Sequence, residues 1–505
     1  MLFNSWQFIS LFLPITVAIF FGVGRLGKQK LAIIWLIAAS LFFYGWWNSG
    51  YLSLLIFSIL FNYAVGYILS QPLAIPLSKK WILTLGIAIN LVLIGYFKYA
   101  NFFVSTVNDL LGTSFNFYKI ILPLGISFFT FQQIAYLIDA YRGETKEYSF
   151  LNYCLFVSFF PQLIAGPIVH HKEVIPQFDH KSTYRFDSEN LAVGMTIFLI
   201  GLCKKVLLAD TIALYATPVF VAAGDGVPLT FYEAWSGALA YSLQLYFDFS
   251  GYSDMAIGAA RMFGIKLPLN FDSPYKAVSI IDFWRRWHIT LSNFLRDYLY
   301  IPLGGNRQGK LRRYTNIIIT MLLGGLWHGA GWTFVFWGGL HGIYLCINHL
   351  WRDLWRSLGR DLNASPWWSR VLGCLVTFLA VVIAWVFFRA ENMEAAIALF
   401  KTMIGVNGFS LSASISPVVP PAKKLLLGLC LFIWLAPNTQ QWMIRYDPAL
   451  TQPVAETFYS RYKYLWQKLQ WQPTRTYGII FGVLTFIIAK TFFNAPQSEF
   501  LYFNF

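Results

Sequence analysis

Apolar runs of about 20 residues, the length a helix needs to cross a bilayer, recur along this chain with short polar connectors between them. The candidate spans are 6–23, 31–47, 51–69, 81–97, 117–140, 150–169, 190–209, 230–249, 314–327, 332–350, 371–388, 424–440 and 476–492. Pro123 and Gly125 interrupt one of them. Broken backbone is tolerated at membrane depth only where protein buries it, so some segments are expected to be re-entrant. The pattern predicts an all-α, polytopic integral membrane protein with about eleven to thirteen hydrophobic helices around a polar interior.

One region departs from the apolar pattern. Between Asp248 and Arg313 aromatic residues mix with Asp254, Arg261, Lys266, Asp272, Lys276, Asp282, Arg285, Arg286, Arg296 and Asp297. Within it Phe283, Trp284, Trp287, Leu291, Phe294, Leu295 and Tyr298 fall at i, i+3, i+4 and i+7 spacing, while Arg285, Arg286, Asn293 and Arg296 fall mostly elsewhere. That spacing predicts one amphipathic helix over 279–300, lying in the interface or plugging the bundle. Ser279 and Asp282 can cap its start, and Pro302 with Gly304-Gly305 ends it.

Composition strengthens the membrane reading. The 505 residues are 57% hydrophobic, 19% aromatic and only 12% charged, with a mean hydropathy of +0.54; a soluble chain carries about twice that share of charge. No composition break divides the chain, so it reads as one membrane domain over 1–505 with its chemistry concentrated at about 248–350. The first segment, Trp6 to Val23, has no basic residues before it and no small-residue cleavage site after it, and is expected to be a retained span. The five cysteines are scattered singly, without the spacing of a disulfide or metal framework.

The net charge of +15 resides in connectors rather than on a soluble basic face, which argues for membrane orientation and against nucleic acid. Arg25, Lys28 and Lys30, then Lys79 and Lys80, then Arg307, Lys310, Arg312 and Arg313 are expected to face the cytoplasm, with the N-terminus outside and His328 towards the external end of its segment. The last of these clusters has a second reading, a docking surface for an anionic cytoplasmic carrier.

Two histidines are the principal candidates for chemistry. His328 lies in Gly324-Gly325-Leu326-Trp327-His328-Gly329, and an ionisable residue inside a membrane is by default a functional hypothesis. The glycines allow close approach to the ring, and imidazole suits proton abstraction near neutral pH. The plainer alternative is a packing histidine, since His341 and His349 lie nearby in equally apolar company. His288, after Trp284 and Trp287, can orient a substrate or belong to an aromatic belt with Arg285 and Arg286 turned to lipid phosphates. His170, His171 and His180 lack recurring ligand spacing, so no metal is expected. Lys204-Lys205 reads as a pair snorkelling from the end of a span. No phosphate loop, nucleophile elbow or zincin motif is present.

Longer motifs carry a resemblance. They are Ser127-Phe128-Phe129-Thr130-Phe131-Gln132 through Tyr141-Arg142-Gly143, then Phe160-Pro161-Gln162-Leu163-Ile164-Ala165-Gly166-Pro167-Ile168, and Tyr246-Phe247-Asp248-Phe249-Ser250-Gly251-Tyr252-Ser253-Asp254. Phe283-Trp284-Arg285-Arg286-Trp287-His288 through Asn306-Arg307, Leu326-Trp327-His328-Gly329, Trp385-Val386-Phe387-Phe388-Arg389-Ala390 and the ending Phe500-Leu501-Tyr502-Phe503-Asn504-Phe505 complete the set. Together they resemble the membrane-bound O-acyltransferase (MBOAT) family, most closely its bacterial alginate and polysaccharide O-acetylation branch, over nearly the whole chain.

The resemblance implies that His328 matches the family's catalytic histidine and His288 its second histidine or asparagine position. It implies an acyltransferase of the bacterial cytoplasmic membrane, with no bound cofactor. The acyl group, expected to be acetyl, would pass from a cytoplasmic thioester, acetyl-CoA or an acyl carrier protein, to an exported polysaccharide such as alginate, with an extracytoplasmic SGNH-type acetyltransferase as partner. Trp327, Asn293, Arg296 and Asp297 are expected to contact substrate. One departure stands out: His170 occupies a position where the alginate branch tends to have arginine. D-alanyl transfer to teichoic acids, by a related branch, is the alternative enzyme. A transporter is the alternative of another class, although the two related halves it would show are not visible.

Overall fold

A chain in hydrocarbon must satisfy its backbone N–H and C=O groups internally, and the regular secondary structure of the described residues is helical throughout. The structure, a computed structural model, describes the chain except residues 72–77, 116–117, 119, 146–148, 361–365, 411–422, 451–468, 495–497 and 505. The helices are α1 (Leu13–Arg25), α2 (Gln29–Gly45), α3 (Gly50–Ser70), α4 (Lys79–Ile94), α5 (Ala100–Leu111), α6 (Ile126–Tyr141), α7 (Phe150–Ser158) and α8 (Phe160–Leu163). There follow α9 (His171–Asp179), α10 (Ser188–Cys203), α11 (Asp210–Gly224), α12 (Phe231–Met262), α13 (Ile280–Trp284), α14 (Ile289–Leu295), α15 (Gly309–His328) and α16 (Trp332–Ser357). The last are α17 (Trp367–Arg389), α18 (Met393–Met403), α19 (Lys423–Leu435), α20 (Thr439–Trp442) and α21 (Arg475–Asn494).

Five helical stretches among the described residues are long and apolar enough to cross a membrane: Phe8–Arg25, Gly50–Ser70, Lys79–Leu111, Ser188–Gly224 and Trp367–Arg389. Several other expected spans are broken or shorter. Among the described residues of 117–140, those from Ile126 are helical, after Gly125 at φ 72. The 150–169 run divides at Phe159 into α7 and α8, and the Phe160 N–H freed there is received by Ser40 Oγ of α2 at 3.2 Å. A neighbouring helix thus supplies the partner that the break removes. The span ending at residue 97 instead continues through a π-helical turn, Gly95–Tyr99, into α5. Lys98 therefore lies inside it.

α12 is the axis of the bundle, 32 residues long and buried along most of its length. Thr230 and Glu233 close a reciprocal capping box at its start. α10 lies against it backbone to backbone: a Cβ on Gly194 would come within 2.7 Å of Gly258 O, and one on Gly201 within 2.5 Å of Gly251 O. Small residues make such approach possible where no hydrophobic effect drives helices together.

This closeness changes the reading of Lys204-Lys205. The lysines do not snorkel; a π-helical turn, Lys204–Ala209, directs them inward against α12. Lys204 Nζ lies 2.6 Å from Asp254 Oδ2, and Lys205 Nζ lies 2.6 Å from Asp248 Oδ1 and 2.9 Å from Asp210 Oδ1. Asp248 Oδ2 accepts the Leu501 N–H at 3.0 Å, and Lys205 also donates to Glu499 O, so the C-terminal segment is fastened to the same pair.

Removing one partner of a buried pair leaves the other charge uncompensated, at about 3–5 kcal/mol, whereas an exposed pair contributes about 0–1 kcal/mol. Lys205→Met is expected to lower the thermal midpoint in detergent far more than Lys266→Met, whose partner Asp447 is half exposed. Equal losses in the two variants would contradict the role given to the buried pair.

Candidate active site

His328 is the last residue of α15, and a helix ending at membrane depth exposes carbonyls that need donors. Lys98 Nζ donates to Trp327 O and, at 3.2 Å, to His328 O. Tyr99 Oη donates to Leu326 O at 2.8 Å. Lys98 is also 3.4 Å from Ser127 Oγ at the start of α6. The π-helical turn thus caps the helix that carries His328. On the other side α15 meets α16 at Gly325 and Gly338, where a Cβ on Gly338 would come within 2.2 Å of Met321 O. That approach brings Trp337 to 5.1 Å from the His328 ring, edge on at 89°.

His288 is placed by a different device. The expected single helix over 279–300 is two short ones, α13 and α14, separated by Arg285–His288; His288 has a left-handed backbone, φ 45 and ψ 52. Ser279 caps α13 as expected, accepting the Asp282 N–H. A non-glycine residue in this region is strained and persists only where its surroundings over-determine it. Here they do: Asp272 N donates to Arg286 O at 2.9 Å and Ile289 N to Asn270 O at 3.0 Å, clasping the turn from both sides. Aromatic periodicity could not reveal this, because the clasp comes from a segment distant in sequence.

Asn270 also assigns the tautomer. Its Oδ1 lies 3.1 Å from His288 Nδ1, 3.3 Å from Thr290 N and 3.0 Å from Thr290 Oγ1. A backbone N–H can only donate, so Oδ1 is the acceptor and His288 Nδ1 carries the proton. Nε2 is then the nitrogen with the lone pair.

The structure brings the two histidines together. Their ring centroids are 6.2 Å apart, and both are buried. Trp327 borders both, at 6.0 Å from His288 and 5.0 Å from His328. Phe249 and Phe388 close the sides, at 4.8 Å from His288 and 5.4 Å from His328. Phe131, stacked between Trp327 at 5.3 Å and Phe294 at 4.3 Å, extends the aromatic lining. Of the other expected contacts, Arg296 and Asp297 are engaged with each other, with Nε to Oδ1 at 2.7 Å and Nη2 to Oδ2 at 2.8 Å, in an exposed pair. Asn293 is half-buried on α14, between the imidazole turn and that pair.

A cavity of about 580 Å³ lies one ring away from this pair, lined by residues that include Met1, Ser5, Gln7, Trp46, Trp47, Glu499 and the segment Ile121–Phe128. Its inner wall includes Phe128, whose ring stacks on His288 at 6.4 Å. His170 lies elsewhere, half-buried at the start of α9. Its Nδ1 is 3.3 Å from Tyr298 Oη, which donates to Asp139 Oδ1 at 2.9 Å.

Lys98, Tyr99 and Asn270 were not singled out by sequence reasoning. A lone lysine in the apolar run Gly95-Tyr96-Phe97-Lys98-Tyr99 is a usable signal for the first. Tyr99 and Asn270 offer none, since their partners are remote in the chain.

With this geometry in view, comparison with known proteins is informative. Residues 50–386 match the model of the MBOAT, membrane-bound O-acyltransferase, family. The chain is 47% identical over 437 residues to a peptidoglycan O-acetyltransferase of Helicobacter pylori, covering 81% of each protein. It is 44% identical over 419 residues to a probable alginate O-acetylase of Pseudomonas aeruginosa, covering 82% of this chain and 76% of the relative. A teichoic acid D-alanyltransferase of Streptococcus thermophilus is 31% identical over 282 residues, covering 52% of this chain and 68% of the relative.

Asn270→Ala deletes the acceptor shared by His288 and Thr290, leaving buried donors unsatisfied at about 1–3 kcal/mol. The variant is expected to melt at lower temperature in detergent, and the imidazole resonances of His288 to lose their single-tautomer signature. An unchanged ring spectrum would refute the tautomer assignment.

Proposed function

Because the chain belongs to the membrane-bound O-acyltransferase family and is a multi-pass membrane acyltransferase, we propose that it acetylates an exported cell-envelope polysaccharide from the bacterial cytoplasmic membrane. The observation that carries this reading is the buried imidazole pair, 6.2 Å between centroids, separated by the Phe128 ring from a cavity lined by polar and aromatic residues. Extended similarity to O-acetyltransferases, against a match over about half the chain to D-alanyltransferases, favours acetyl as the transferred group.

In the proposed reaction the donor is a cytoplasmic thioester, acetyl-CoA or an acetylated carrier protein. His328 takes the proton of the acceptor hydroxyl as its oxygen attacks the thioester carbonyl. The C–O bond forms, the C–S bond breaks, and the proton passes from His328 to the departing thiolate, giving an ester and a free thiol. General-base assistance of this kind contributes about a hundred- to ten-thousandfold in rate. His288, held in one tautomer by Asn270, orients the reacting groups with its lone-pair nitrogen. The aromatic walls exclude water, which protects the thioester from hydrolysis.

The acceptor hydroxyl is assigned to the cavity bounded by Met1, Trp46 and Trp47, on the side that charge distribution predicts to be external. An SGNH-type acetyltransferase outside the membrane would receive the acetyl group or deliver it onward. The basic turn around Arg307 to Arg313 would face the anionic donor.

His328→Ala is expected to abolish esterification of the exported polymer while leaving expression and membrane insertion intact. His288→Ala is expected to reduce it partially. Mass analysis of exopolysaccharide and wall polymers from a deletion strain complemented with each variant reads both effects. Retained acetyl esters in His328→Ala would exclude the base assignment, full activity in His288→Ala would make that residue a packing group, and loss of alanyl rather than acetyl esters in the deletion strain would favour the D-alanyl branch.

A further inference from the structure

A third buried imidazole stands beside the pair, and the proposed chemistry does not use it. His341 of α16 is fully buried, and neither ring nitrogen has a hydrogen-bond partner among the described residues. A phenylalanine would fill similar space without leaving polar atoms unsatisfied. Packing therefore does not account for an imidazole there.

Its neighbours connect both catalytic segments. Trp337 lies 4.8 Å from the His341 ring and is the same indole that meets His328 edge on. On the opposite side Phe283 stacks on His341 at 6.1 Å and 15°, and Trp284 meets it at 5.2 Å and 80°. Phe283 and Trp284 belong to α13, the helix that runs into His288. The two indole contacts, at 63° and 80°, are steep; in such a pair one ring offers its edge to the other's π face, and an N–H edge binds that face more directionally than a benzene C–H edge.

We propose that His341 is a positioning residue for acyl transfer, bridging Trp337 and α13 so that His328 and His288 keep their separation and tilt. The proposal rests on the acetyl-transfer reading above. Its imidazole is retained because the polar ring edge orients the two indoles, which an apolar ring of similar size does not.

The test compares wild type, His341→Phe and His341→Gln as full-length protein. Thermal midpoints are measured in detergent, thiol release is measured with acetyl-CoA as the donor probe, and polymer ester content is measured in complemented cells. His341→Phe is expected to lose about tenfold or more in kcat with KM for acetyl-CoA within about twofold of wild type, the pattern of an interaction that matters in the transition state. Its thermal midpoint should equal or exceed that of wild type, since two unsatisfied buried nitrogens are removed. His341→Gln, which keeps N–H donors, should recover part of the rate. The proposal is overturned by a His341→Phe protein with wild-type kcat, by a loss of kcat that accompanies a lowered midpoint, or by a glutamine variant no better than phenylalanine. A wild-type protein that transfers no acetyl group in either assay overturns the acetyl-transfer reading instead, and is distinguished by affecting every variant alike.

Discussion

A helix that ends inside lipid leaves its last carbonyls without donors, and each unsatisfied group there costs several kcal/mol. The site is organised around the answer to that constraint at the end of α15. Lys98 and Tyr99 reach the carbonyls of Leu326, Trp327 and His328 from a π-helical turn more than 200 residues earlier in the chain. With the carbonyls satisfied, the helix can stop at His328, and the imidazole comes to lie buried in the bundle on a capped terminus. The same constraint governs the second imidazole: the turn at His288 breaks a helix, and the non-helical segment at Asn270 to Asp272 takes up groups so released. Both imidazoles are thus located by helix interruptions that remote residues make tolerable.

Which parts of this were readable in the sequence follows from the range of the interactions. The apolar segments and the bracket of glycines around His328 are local signals, and both match an all-helical membrane protein with α15 pressed against α16. The helix over 279–300 was misread in one respect. Its aromatic spacing is real on each side, but the left-handed backbone of His288 is imposed by hydrogen bonds from residues 270 and 272, which periodicity cannot register. Lys204 and Lys205 were misread for a similar reason. Two lysines at the end of an apolar run look like snorkelling residues until α12 brings Asp248 and Asp254 against them. Arg296 and Asp297, expected to contact substrate, are adjacent in sequence and engage each other in an exposed pair that periodicity does not reveal.

The buried charges and the buried imidazoles do different work. The Lys205–Asp248 pair is buried, closely matched and tied to the C-terminal segment, all features of a structural fastening. The imidazoles lie instead among aromatic faces, with a cavity one ring away. The carboxylates of α12 are thus matched away from the imidazoles, whose neighbouring cation, Lys98, is engaged with the carbonyls at the end of α15. Strain at His288 fits the same division, since left-handed backbone in a non-glycine residue is retained where placement of a side chain matters more than local stability.

The chemistry of this enclosure bears on the acyl group. A D-alanyl thioester would bring an ammonium beside His328, and burying a charge carries an effective penalty of several kcal/mol unless a counter-charge meets it. The rings bordering His328 include those of Trp327, Trp337, Phe388 and His288. The buried aspartates of α12 are already matched by Lys204 and Lys205. A cation–π contact recovers about 2 kcal/mol when desolvated, but the Trp327 ring already has Lys98 Nζ at 5.7 Å from its centroid, and a second cation there would be repelled. A neutral acetyl group meets none of these penalties.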